Sequence, residues 1–247
     1  MCKQLHRLIF CYLIWLWYFK FILLHIVLNP SDMRKTLLLI VCILVAGRSF
    51  ADKNMRDVWL SMPDSLNVYV DSVMRHDLVT FHDMGLTSEI TNRFADITSI
   101  DTLGETYMSV TLSSSTQMQM RLLATTDSNR ILCIVKTFRD TEGYGESDVR
   151  FYSVDWEPLV GSYGLPSADD EQALRRDFLL QPDTMNNERF AELSALIDPV
   201  MLCAELATDE PAITLTLSTP LLRKEEEEEV KTIIKQNKLN WHGDKFK

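Results

Sequence analysis

Cysteine, glycine and histidine are scarce in this chain, with five, eight and five copies in 247 residues. Beyond residue 51 only Cys133 and Cys203 remain, and no CxxC, HExxH, P-loop or dinucleotide fingerprint occurs anywhere. Gly161-Ser162-Tyr163-Gly164 lacks the spacing of a nucleophile elbow. These absences remove the common signatures of metal, nucleotide and acyl-transfer chemistry, and no cofactor, catalytic residue or metal ligand is expected. Basic residues are also short: 25 against 35 acids, for a net charge of −10. Six of the bases and one of the acids precede residue 52, which leaves 19 bases against 34 acids and a charge of −15 on the remainder. Phosphate backbones and anionic lipid surfaces repel such a chain, so nucleic acid is excluded as an expected partner.

Long hydrophobic runs are confined to the start. Met33-Arg34-Lys35, the apolar stretch Leu37 to Ala46 and the small-residue site Ser49-Phe50-Ala51 have the three parts of a secretory signal, with cleavage expected after Ala51. No cysteine follows the apolar stretch where a lipid anchor needs one. Residues 1–32 are a doubtful leader. Leu8 to Leu28 is apolar enough for a membrane helix, although Lys20 and His25 interrupt it. A second hydrophobic segment fits poorly ahead of a complete signal, so translation from Met33 is the favoured reading. A membrane role follows only if residues 1–32 are translated and retained. The chain thus divides into 1–32, a signal at 33–51 and an exported domain at 52–247, located in the periplasm or secreted.

The exported part reads as a single α+β domain, an antiparallel sheet covered by helices. Its centre is a meander over residues 107–156. Met108, Val110 and Leu112 alternate with Ser109 and Thr111; after Ser113-Ser114-Ser115, Met118, Met120 and Leu122 alternate with Gln117, Gln119 and Arg121. This period-two writing predicts a half-buried hairpin, with the methionines in the core. Ile131 to Val135 is apolar on both faces, as a central strand requires, and Val149 to Trp156 closes the set before Pro158. Ser61-Met62-Pro63-Asp64 predicts a helix start, with a break near His76 and a stop at Gly85. Ile90 to Phe94 and Ile97 to Ile100 are expected edge strands. A helix begun by Ser167 with Asp170 and running towards Pro182, another from Asn187, strands at 200–206 and 213–218, a helix from Leu222 and a short strand near Leu239 complete the order.

Ser61-Met62-Pro63-Asp64-Ser65-Leu66, Asp77 to Gly85, Ile131 to Val135 and Phe151-Tyr152-Ser153-Val154-Asp155-Trp156 together resemble an exported bacterial family known as domain of unknown function 3256. The resemblance reaches Ala212 to Pro220 and covers most of the chain beyond the leader. It implies a signal peptide and carries no activity or catalytic residue.

Candidate ligand-binding residues are then those with chemistry to spare. His76-Asp77 and His82-Asp83 recur, but a spacing of six places the two histidines about 240° apart on a helix, which disfavours a shared metal. Asp140, Glu142, Glu146 and Asp148 sit in a glycine-bearing acidic loop. Tyr144 and Phe151 stand where an EF-hand needs ligands, so a flexible connection is preferred to a calcium site. Glu225 to Glu229, followed by Lys231, reads as a solvated helix face. A disulfide between Cys133 and Cys203 competes with two ordinary buried thiols. The expected function is a non-enzymatic binding or accessory protein of the cell envelope, acting on an unknown envelope protein or ligand. The alternatives are a hydrolase-type enzyme with a carboxylate/histidine site around His82, Asp83 and the acidic loop, and a membrane-anchored structural envelope protein.

Overall fold

In the computed structural model, residues 53–142, 144–219 and 222–247 are described. The leader and the signal therefore lie outside the described residues, as does the expected cleavage site. Among the described residues no helix is long and apolar enough to cross a membrane.

Seven antiparallel strands follow one another in space in the order of the sequence: β1 (Glu89–Thr91), β2 (Ile97–Leu103), β3 (Tyr107–Ser113), β4 (Thr116–Ala124), β5 (Arg130–Arg139), β6 (Gly145–Ser153) and β7 (Pro158–Leu159). Short polar turns suffice for such a meander. Between β4 and β5, Asp127 accepts the Asn129 amide and Ser128 takes φ 66°. Tyr152 pairs with Pro158, which lies on the edge strand and so needs no N–H.

The sheet is buried on both faces. Met108, Val110, Leu112, Met118, Met120, Leu122, Leu132 and Ile134 pack beneath helices α1 (Met55–Leu60) and α2 (Ser72–Asp83), around Trp59 and Leu78. On the opposite face Tyr107, Leu123, Cys133, Val135 and Phe151 meet Leu202, Ala204, Leu206, Ile213, Leu215 and Leu217. These come from a second sheet of three antiparallel strands: β8 (Met201–Leu206), β9 (Ala212–Ser218) and β10 (Asn237–Asn240). Helix α3 (Glu171–Phe178) adds Leu174 and Phe178 to this second core, while α4 (Asn187–Leu196) and α5 (Lys224–Lys231) share a third with Leu193, Ile197, Val230 and Ile233.

The expected half-buried hairpin is thus corrected to one buried on both sides. Ser109, Gln119 and Arg121 are all buried; Ser109 bonds Asp101 and Gln117 within its own sheet, while Gln119 and Arg121 reach the unpaired backbone edge at and just beyond β8. Gln119 accepts the Leu206 amide at 2.9 Å, Ser147 Oγ accepts the Ala204 amide at 3.0 Å, and Arg121 donates to the carbonyls of Ala207 and Thr208. A side-chain ladder therefore joins the two sheets where a solvent face was expected.

The helix start at Ser61 is also corrected. Ser61 ends α1, whose Asn54 and Asp57 form a reciprocal capping box, and Asp64–Leu66 is one 3-10 turn. Asn67 Oδ1 then accepts the Tyr69 and Val70 amides, which interrupts the helical path; Asp71 caps α2, and α2 runs through His76 unbroken.

Candidate functional site

On the helix-covered face the burial thins over β5 and β6, where Lys136 and Asp148 are half-buried and Arg150 is exposed. Register places Met118, Lys136 and Asp148 side by side across β4, β5 and β6, with Ile134 opposite Arg150 and Leu132 opposite Tyr152 in the next rows. Side chains alternate across a strand, so these seven stand on the same face, and all but Leu132 line one cleft. The 62–66 segment and Trp156 complete its enclosure, to a volume of about 250 Å³.

Its walls are fixed from beneath. Arg75 on α2 is 1% exposed; it donates to the carbonyls of Val70 and Met62, pairs with Asp64 at 2.9 Å, and stacks over Trp59. One buried guanidinium thus holds the 62–66 segment against the helix. Trp156 adopts φ 69°, a left-handed conformation unusual for so bulky a residue. Its indole Nε1 donates to the Val58 carbonyl at 3.2 Å and to Ser61 Oγ at 3.3 Å, and its ring packs against Tyr152 with centroids 5.8 Å apart. These contacts hold the ring in place despite a backbone cost of about 1–2 kcal/mol.

Lys136 is the half-buried cation of the cleft. Its ammonium makes no hydrogen bond or ion pair among the described residues. Burial lowers its pKa, Asp148 opposes that shift, and Arg150 adds to it. Asp148 is committed elsewhere, to Arg150 at 2.7 Å, and that carboxylate raises the Arg150 pKa. The cleft therefore holds two cations and one anion on a strongly acidic chain, against a wall of Met62, Met118, Tyr152 and Trp156. An ammonium held partly out of water with no partner, in a concave apolar setting, marks a binding site better than any group in the exposed loops.

The sequence-nominated residues do not converge. His82 and Asp83 are exposed at the end of α2, where Asp83 is clamped by Arg56, with the Arg56 Nη1 contact at 2.9 Å. Asp140 accepts the Glu142 and Tyr144 amides and so shapes its own turn; Glu142 and Glu146 are exposed. Of the six, only Asp148 lines the cleft, and it does so from strand β6 rather than from a loop. No group of three or more His, Cys, Asp or Glu among the described residues could hold a metal ion. Cys133 and Cys203 are both free thiols. Cys133 faces the second core, where burial pushes its pKa up, and the Cys203 thiol donates to the Gly145 carbonyl at 2.8 Å. Glu225 to Glu229 lie on α5 as expected, with Glu227 paired to Lys231 at 2.8 Å.

A larger cleft of about 500 Å³ lies between β9 and α5, lined by Arg139, Tyr144, Cys203, Thr216, Glu227 and Lys231. Its facing charges are already matched, since Lys231 and Tyr144 hold the Glu227 carboxyl below its usual range. Lys136 escaped the sequence reading because the apolar run was taken to end at Val135. Extending the alternation Leu132, Ile134, Lys136 would have placed it on the helix face.

A domain of an uncharacterized protein from Porphyromonas gingivalis W83 has a similar fold: TM-score 0.62 at 18% identity, over 78% of this chain and 96% of that one. No curated protein matches. The family model described as Protein of unknown function (DUF3256) matches residues 48–246, and the chain belongs to that family.

Proposed function

We propose that this is an exported protein of the cell envelope that works by binding, as a non-enzymatic accessory protein, with the Lys136 cleft as its binding site. The observation that carries the reading is a half-buried ammonium, without a hydrogen bond or ion pair among the described residues, set against a wall of Met62, Met118, Tyr152 and Trp156. Export rests on the signal pattern at 33–51, with the periplasm or the exterior as destination. The rival hydrolase reading needs His82, Asp83 and the acidic loop in one pocket. Asp83 is instead clamped to Arg56, and Asp140 is occupied by its own turn.

The test is recovery of the tagged chain from the envelope fraction of cells that make it, followed by mass spectrometry of both the chain and what it carries. The expected result is a chain beginning at Asp52, with a bound species that Lys136→Leu no longer retains. A chain still carrying residues before Asp52 would overturn export, and equal retention by the variant would overturn the cleft.

A further inference from the structure

We infer that the Lys136 cleft takes an organic acid with an apolar body, its carboxylate on Lys136 and Arg150 and its body on Met118, Tyr152 and Trp156. This rests on the reading of the cleft as the binding site and names the chemistry of its ligand.

Charge selects the polar end of the ligand. A carboxylate approaching this chain meets net repulsion everywhere that acids dominate, yet the cleft presents two cations and one anion. Asp148 neutralises one cation, and its partner is Arg150 rather than Lys136. One positive charge is therefore left over, and it belongs to the group that burial has partly stripped of water. Among the described residues no acceptor lies within hydrogen-bond reach of that ammonium, which has three donors, and an anion supplies one. Charge-assisted bonds of this kind are stronger than neutral ones, and more so where water is thinned. A neutral or cationic ligand would leave the ammonium as it is or repel it.

Shape sets the rest of the ligand. At about 250 Å³ the cavity falls below the usual range for a drug-sized molecule, so it admits one ring or a short chain. The Tyr152 and Trp156 rings and the Met62 and Met118 thioethers supply a surface for that group, since sulfur and aromatic faces both pack well against rings. Two sources share this chemistry: a free aryl or short acyl acid, and the C-terminal residue of a peptide with an apolar side chain.

The experiment follows the methyl signals of Met62 and Met118 by NMR in the chain from Asp52 onward, with exposed Met84 as the reference. Four probes are titrated: 4-phenylbutanoate, 4-phenylbutanamide, an N-acetylated tripeptide ending in Phe with a free carboxylate, and the same peptide amidated. At least one acid is expected to shift both cleft methyls and leave Met84 in place, its amide binding about ten- to hundredfold more weakly. Which acid binds more tightly assigns the source. Lys136→Leu is expected to bring the acid down to the level of its amide. Equal binding of acid and amide would overturn the anionic ligand while leaving the cleft as a binding site. Unmoved cleft methyls with all four probes would overturn both. The comparison of acid with amide needs no variant, so it decides the matter even if Lys136→Leu fails to fold.

Discussion

Lys136 occupies a position where a leucine would serve the fold better. Its neighbours on the same face are Met118 and Ile134, and burial disfavours its charged form. Because its folded pKa lies below the unfolded one, the unfolded chain binds more protons between the two values, and stability rises with pH through that window. Lys136→Leu is therefore expected to raise Tm near neutral pH, by about 2–4 °C for each kcal/mol gained in a chain of this size, with the gain shrinking as alkaline pH neutralises the wild-type lysine. A thermal melt in which the variant is less stable at pH 7 would contradict this. The two thiols give a second residue-scale expectation. Cys133 is fully buried with its pKa pushed up, and Cys203 is engaged with Gly145 and raised by burial. Titration with a thiol reagent should count no disulfide on unfolding and find slow reaction of Cys133 in the native state.

At the scale of elements, the seam between the sheets decides whether the fold holds. Gln119→Leu leaves the Leu206 amide without an acceptor in a dry interface, at a cost of about 1–3 kcal/mol, measurable by denaturant titration. Gly164 is similarly constrained: at φ 82° a Cβ there would stand 2.1 Å from the carbonyl oxygen of Phe246, whose ring is 1% exposed in the second core. Gly164→Ala should detach the C-terminal segment and expose that core, read as new protease cleavage near Lys247 and loss of stability. Both features explain what sequence reading could and could not reach. The β5 run Ile131 to Val135 announced burial on two faces because both of its periods are apolar. Gln119 and Arg121 did not, since a polar side chain aimed at a backbone edge is written like one aimed at water. Helix α1 precedes the expected start at Ser61, and Asn54 and Asp57 at capping-box spacing, with Met55, Val58 and Trp59 buried, carry its signal.

For the molecule as a whole, the antiparallel meander and its helical cover on one face were legible in the alternation of residues 107–156, and the late strands 201–206 and 212–218 in their apolar periods. The second sheet's place against the far face was not, because long-range contacts of β8 with β4, β5 and β6 determine it. The candidate site was legible in one residue, Asp148. Its partners come from three separate stretches that meet only once the sheet is paired, and the acidic loop that drew notice in the sequence is spent on its own turn. The cleft turns on one ammonium that the fold holds partly out of water, with no hydrogen bond or ion pair among the described residues. The measurement that reaches it most directly is the titration of the Lys136 side chain by carbon-detected NMR, assigned with Lys136→Leu. A midpoint below the ordinary lysine value of about 10.4, moving upward when the acid ligand is added, is the predicted result. A midpoint at or above that value in the free protein would contradict the account.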